Sequence, residues 1–162
     1  MASSTTAEAS VDLSFLLSQA SYALTTELTA GLAELGISPR SHCVLSKARG
    51  RELTQTQIAE LAALDKTTMV VTVDQLEQAG LAERRPSRTD RRARIISVTP
   101  AGERIADKAD AIVARIYAQV LDALPSRERQ GFVAGLARLV EGEGRLATPV
   151  ECEQTVRRPR SR

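Results

Sequence analysis

A mainly helical fold carrying one short β-hairpin is predicted by three features of the sequence. Apolar residues recur at helical spacing in two long stretches towards either end, two shorter helical stretches between them are separated by a few residues, and a strand-like pair bracketing a turn follows. With 162 residues, 43% of them hydrophobic, the chain is the size of one domain and can bury a core. Aromatic residues are only 2% and Trp is absent, so that core should be aliphatic, and stacking on single-stranded bases is disfavoured.

From Val11 to Leu35, the residues Leu13, Leu16, Leu17, Ala20, Leu24, Leu28, Leu32 and Leu35 line one side of a long helix, which Gly36 stops. Ser38-Pro39 restarts the chain as a second helix, a capping hydroxyl followed by proline at the first helical position; it carries Cys43, Val44 and Ala48 and ends near Gly50. Thr54-Gln55-Thr56-Gln57 fits a capping box opening a third helix through Ile58 and Leu61. Asp65 caps a fourth, whose inner side reads Met69, Val73, Leu76 and which Gly80 closes. Two helices of this length with so short a joint form a helix-turn-helix. Strands are expected over 81–85 and 93–98, with Pro86 to Asp90 supplying turn residues; a hairpin in this place is a wing. Thr99-Pro100 opens a second long helix with Ile105, Ala109, Ile112, Val113, Ile116, Val120 and Leu124 on one side, Pro125 breaks it, and a last helix from Ser126 to Val140 presents Phe132, Leu136 and Leu139. Residues 1–10 and a basic tail, 142–162, are too polar to order themselves.

The net charge of +2 diagnoses no partner, but its distribution does: Arg84, Arg85, Arg88, Arg91, Arg92 and Arg94 face one acid, Asp90, in a single short stretch. There is no basic and apolar leader and no apolar run long enough for a bilayer, so a cytoplasmic protein without membrane contact is expected. Cys43 and Cys152 lie far apart and form no C-x-x-C, which argues against a zinc site or a disulfide framework. With one histidine, no phosphate-binding glycine loop and no G-x-S-x-G, no acid, base and nucleophile can be assembled, so neither an enzyme nor a cofactor or metal is expected.

The residues sharpen the architecture. The runs Leu53-Thr-Gln-Thr-Gln-Ile-Ala-Glu-Leu-Ala, Asp65-Lys-Thr-Thr-Met-Val, Asp74-Gln-Leu-Glu-Gln-Ala-Gly-Leu-Ala-Glu-Arg-Arg, Thr89-Asp-Arg-Arg-Ala-Arg and Val98-Thr-Pro-Ala-Gly resemble the signature of the multiple-antibiotic-resistance regulator (MarR) family, strongly over residues 53–103. The resemblance implies a winged helix-turn-helix over 37–99 and a homodimer whose dimerisation helices come from 11–36 and 100–141. It also implies a transcription regulator, most often a repressor, on a pseudo-palindromic operator in double-stranded DNA.

If the helix from Lys66 enters the major groove, its first turns offer Lys66, Thr67, Thr68, Val70 and Val71 to base edges. The valines depart from the polar or basic residues that relatives often carry; an apolar side chain there meets a thymine methyl, although helical phase leaves open whether one valine packs inward. Thr54, Gln55 and Arg84 join the expected contact set. Asp90 and Arg92 match the family's Asp-x-Arg element, in which the acid orients an arginine into the narrow, strongly negative minor groove, while Arg88 and Arg91 suit phosphates. A winged helix that docks a protein is the rival reading, and the arginine-rich wing speaks against it. The basic end from Arg157 to Arg162 suits non-specific DNA affinity or plain solvation.

Regulators of this family often bind small anionic or phenolic effectors between the dimerisation helices and the winged domain. By position Tyr22, Arg40, His42 and Cys43 border that cleft. Cys43 also admits a thiol-based redox reading, against which stands the absence of a cysteine from the first helix, where peroxide-sensing relatives carry theirs.

Overall fold

The structure, a computed structural model, describes residues 11–87 and 93–141. The expected order of elements is present: α1 (Leu13–Ala33), α2 (Pro39–Ala48), α3 (Gln55–Leu61), α4 (Lys66–Gln78), β1 (Ala82–Pro86), β2 (Arg94–Val98), α5 (Pro100–Asp122) and α6 (Ser126–Glu141). The expectations for the N-terminal segment, the basic tail with Cys152, and Arg88, Asp90, Arg91 and Arg92 lie outside the described residues. No helix among the described residues is long and apolar enough to cross a membrane.

Helix starts follow local chemistry. Ser38 Oγ accepts the Ser41 amide at 3.0 Å with Pro39 in the first turn. In the capping box, Thr54 Oγ1 accepts the Gln57 amide at 3.3 Å and Gln57 Oε1 accepts the Thr54 amide at 2.9 Å. Asp65 Oδ1 accepts the Thr68 amide at 2.9 Å. Thr99 Oγ1 accepts the Gly102 amide at 3.0 Å and donates to the Gly80 carbonyl at 2.7 Å, joining the start of α5 to the end of α4. α1 also has a cap, in which Asp12 accepts the Phe15 amide at 2.9 Å.

The two helices of the helix-turn-helix end the same way. At the end of α4, Leu81 donates its amide to the Leu76 carbonyl and Gly80 to that of Glu77, both at 2.9 Å, with Gly80 at φ 69. At the end of α3, Leu64 donates to Ala59 at 2.9 Å and Ala63 to Glu60 at 3.3 Å, with Ala63 at φ 50. Both are Schellman closures, which need one left-handed residue. Glycine fills that place after α4; after α3 an alanine holds it.

The hairpin is antiparallel, in register from Ala82 opposite Val98 to Pro86 opposite Arg94. Its first strand sits one residue later than expected, because Pro86, which has no amide to donate, still fits an outer position of the ladder. A further pairing was not foreseen: Ile96 donates its amide to the Leu53 carbonyl at 3.0 Å and Thr54 bridges to Ile95, so the stretch before α3 lies along β2.

The residues up to Val120 and those from Leu121 form two compact units. In the first, Leu32, Val44, Leu45, Ile58, Met69, Val73, Leu76, Ile96, Ala106 and Ala109 build one aliphatic core. α5 buries Gly102, Ala106, Ala109, Val113 and Ile116, with Ile105 and Ile112 partly buried against the core; Gly102 and Ala106 had escaped notice because small residues stand out little in a hydrophobic pattern. α5 approaches so closely at Gly102 that a Cβ there would stand 2.0 Å from the Leu81 carbonyl oxygen. In the second unit, Arg129 Nε donates to the Leu124 carbonyl at 3.0 Å and its guanidinium meets Asp122 Oδ1 at 2.5 Å, which fixes the turn into α6.

Candidate nucleic-acid interface

α4 divides its residues by helical phase. Met69, Thr72, Val73 and Leu76 are buried, which leaves Lys66, Thr67, Val70, Val71, Asp74 and Gln75 on the outer side. Val70 is 36% and Val71 50% exposed, so neither valine packs inward. The burial of Met69, Val73 and Leu76 holds this outer face in place, and the Asp65 cap fixes its amino end.

Thr68 is only partly available. Its hydroxyl donates to Asp65 Oδ2 at 2.6 Å and its amide to Asp65 Oδ1, and these two bonds hold the Asp65 carboxyl below the usual carboxylate range. Thr68 therefore serves the cap first, with the oxygen lone pairs left to accept. Thr54 is likewise engaged in the capping box of α3, and its hydroxyl lies 3.1 Å from Gln57 Oε1.

Arg84 is placed differently from the expectation of a side chain free to meet DNA. Its guanidinium contacts Glu77, reaches Asp74 Oδ1 at 2.7 Å and approaches Gln55 Oε1 at 3.3 Å, and its side chain is 28% exposed. Gln55 thus faces Arg84. Arg85 pairs with Glu83 along β1, and Arg94 is exposed at the start of β2.

Elsewhere in the same unit, α1, α2 and α5 border a half-open cavity of about 290 Å³ lined by Leu28, Leu32, Pro39, His42, Cys43, Ser46, Lys47, Val113 and Tyr117. His42 and Cys43, two of the four residues expected to border an effector cleft, line this cavity. Tyr22 lies apart, exposed on α1 beside Thr25, Thr26 and Thr29, and Arg40 is exposed without lining the cavity. Lys47 and Tyr117 were missed: Lys47 lies one turn beyond Cys43 on α2 and was legible by spacing, whereas Tyr117 comes from a helix distant in sequence. Burial pushes the Cys43 thiol pKa up, with Lys47 pulling it partly back, so the thiol stays protonated near neutrality and is a poor nucleophile.

One wall of the cavity continues into a chain of charges. His42 Nε2 lies 2.7 Å from Asp110 Oδ1, and Arg49 donates to Asp110 Oδ2 at 2.8 Å, to Glu103 Oε2 at 2.7 Å and to Asp107. Three carboxylates on one side of α5 thereby grip the residue that ends α2.

Comparison with known proteins agrees with this arrangement. A MarR family model matches residues 35–93, from the end of α1 into the wing. CouR of Rhodococcus jostii, in a crystal structure bound to p-coumaroyl-CoA, is 29% identical, superposes with a TM-score of 0.72, and the match covers 80% of this chain and 92% of that one. A MarR-family transcriptional regulator from a Rhodococcus species is 27% identical at a TM-score of 0.71, over 79% of this chain and 93% of that one. CouR bound to a 23-mer DNA duplex is 26% identical at a TM-score of 0.72, over 78% and 91%. Family model, fold and helix-turn-helix with its wing agree: over residues 35–93 the chain matches the MarR family, within a fold similar to that of MarR-family transcriptional regulators.

Proposed function

We propose that the protein is a sequence-specific repressor that binds a pseudo-palindromic operator in double-stranded DNA as a homodimer and is released by a small-molecule effector. The observation that carries this reading is the outer face of α4, where Lys66, Thr67, Val70 and Val71 stand exposed at the amino end of a helix anchored by its buried side. Lys66 and Thr67 can hydrogen-bond to base edges, Val70 and Val71 suit thymine methyls, Arg92 oriented by Asp90 enters the minor groove, and Arg88 and Arg91 meet phosphates. CouR, a relative of similar fold, is known in a complex with a duplex.

The second copy is supported by apolar side chains that each unit leaves uncovered within itself: Leu13, Phe15 and Leu16 on α1, and Phe132, Val133 and Val140 on α6. The effector would occupy the cavity between α1, α2 and α5, whose Leu28, Leu32, Val113 and Tyr117 suit a flat apolar body and whose Lys47 suits an anionic end. A two-fold dimer meets half-sites roughly 34–36 Å apart, so a ligand that changes this separation removes most of the specific affinity. Such a protein works in the cytoplasm, without membrane contact, cofactor or catalytic step.

The test is a fluorescence-anisotropy titration against a duplex from the protein's own promoter region and a scrambled duplex, at two salt concentrations, with Arg92→Ala alongside. A preference of about a thousandfold that collapses in the variant is expected. Equal binding of both duplexes, with only a steep salt dependence, would count against an operator in that region and raise the protein-docking reading.

A further inference from the structure

Arg84 opens the arginine-rich stretch, yet its surroundings differ from those of a phosphate contact. It lies on β1 opposite Ile96, and its backbone amide donates to Glu77 Oε1 at 2.7 Å. The same Glu77 carboxylate receives its guanidinium. One acid on α4 thus holds both the backbone and the side-chain end of a residue on the wing. The guanidinium also reaches Asp74 Oδ1 at 2.7 Å, one turn earlier on α4, and Gln55 Oε1 at 3.3 Å, at the first residue of α3. A planar fork spreads five donors over three nitrogens and reaches three separated partners at fixed angles, whereas an ammonium gathers its three donors on one atom.

Two consequences follow. First, the bonds join the three elements that the reading above brings to DNA: α3, α4 and the wing. An unpaired edge amide of β1 is satisfied by α4, which leaves the strand little freedom to swing away. Second, two carboxylates surround one guanidinium, so the cluster carries a net negative charge towards a polyanion. It adds no favourable long-range attraction to phosphate.

We infer that Arg84 and Glu77 are a positioning pair that sets the wing against α4, so that minor-groove and major-groove contacts meet one duplex in register, and that Arg84 is not itself a phosphate ligand. The inference rests on the proposed DNA-binding function. It makes an unusual prediction of sign. Removing an acid near a DNA-binding face ordinarily tightens binding, whereas removing Glu77 should weaken it.

The experiment starts with selection of a duplex by the wild-type protein from a random library; that duplex is the probe for Glu77→Ala, Arg84→Gln, Arg84→Lys and Arg88→Gln. Affinity is measured across a salt series, dimethyl sulfate protection of guanine N7 in the major groove and adenine N3 in the minor groove is taken at saturating protein, and thermal unfolding reports folding. Glu77→Ala and Arg84→Gln should each weaken binding by about tenfold or more and change the salt slope by the same amount, because both act through the same displaced wing. Both should lose minor-groove protection while keeping protection in the major groove. Arg84→Lys should not restore it. Arg88→Gln, by contrast, should lower the slope by about one. A slope lower by about one in Arg84→Gln than in Glu77→Ala would make Arg84 a phosphate contact and overturn the inference, as would equal or tighter binding by Glu77→Ala. A uniform loss of all protection would reduce the pair to general stability and overturn it too. If the wild-type selection enriches no sequence, the DNA-binding reading fails and the positioning role falls with it.

Discussion

α1 and α4 are both amphipathic helices, but they complete their cores differently. α4 has 13 residues and buries Met69, Thr72, Val73 and Leu76 against its own chain. α1 has 21 residues and buries Leu32 alone; Leu24 and Leu28 are half-covered, and Leu13, Phe15 and Leu16 are more than half exposed. A hydrophobic stripe states that a surface will be covered, not by what. Where the covering elements are near in sequence, as α2 and α3 are for α4, the chain folds over the stripe by itself. Where the elements of its own unit leave the stripe open, a second copy is the covering that the proposed homodimer provides.

The sharpest way to break this comparison is to place charge on the α1 stripe. Leu13→Asp combined with Leu16→Asp should convert the dimer to a monomer, read by light scattering after gel filtration. Because two linked half-sites reinforce each other, specific affinity should fall about a thousandfold while non-specific binding survives. A dimer that persists with unchanged affinity would mean that the stripe is covered by something else.

How much of this was legible in the sequence depends on whether the signal is local. The caps at Ser38, Thr54, Asp65 and Thr99 were readable because each bond spans only three residues, and Met69, Val73 and Leu76 because helical phase is a property of one segment. The bond from Ile96 to Leu53 was not readable, since nothing in the residues before α3 marks them as a partner for β2. The orientation of Val70 and Val71 needed the position of the core. Arg84 shows the limit most clearly. Counted by charge it belonged with the wing arginines, and only the placement of β1 beside α4 reveals that Glu77 and Asp74 already hold it. In the cavity, His42 and Cys43 were found from their helix, while Tyr117 required knowing how α5 crosses α2.

A second prediction sharpens the contrast between covered and open faces through two glycines. At Gly102 an added methyl would meet the Leu81 oxygen at 2.0 Å and Val98 Cγ1 at 2.8 Å, and the Leu81 carbonyl cannot retreat without losing the Thr99 amide, 3.1 Å away. Gly102→Ala should cost on the order of 3 kcal/mol, measured by urea unfolding. At Gly135 on α6 a methyl meets nothing within 4 Å, so Gly135→Ala should stabilise the helix by up to about 1 kcal/mol. A loss at Gly135 instead would show that a partner surface lies against that face.

Val71→Ala tests α4's exposed side in a milder way. With Val71 50% exposed, unfolding should shift by no more than about 0.5 kcal/mol. Its effect should appear in a binding-site selection, where discrimination for thymine at one position per half-site should relax on the order of fivefold. An unchanged selection would remove Val71 from the contact set and leave Lys66 and Thr67 to carry base readout.

The smallest expected effect concerns the joint between α3 and α4. Ala63 at φ 50 closes α3 in the way that Gly80 at φ 69 closes α4, with Leu64 bonded back to Ala59 as Leu81 is to Leu76. An alanine in the left-handed region is strained by roughly 1 kcal/mol, and glycine removes that strain while adding about 0.5–1 kcal/mol of unfolded-chain entropy. The two nearly cancel, so Ala63→Gly should lie between neutral and about 0.5 kcal/mol stabilising. Ala62→Gly, one residue earlier and right-handed at φ −95, has no strain to relieve and should lose about 0.5–1 kcal/mol. Thermal unfolding of the pair separates the two contributions, since both substitutions delete the same methyl. Equal losses at both positions would mean that the joint in solution does not hold Ala63 left-handed, and the angle between α3 and α4 would then rest on packing of Leu64 and Ala59 alone.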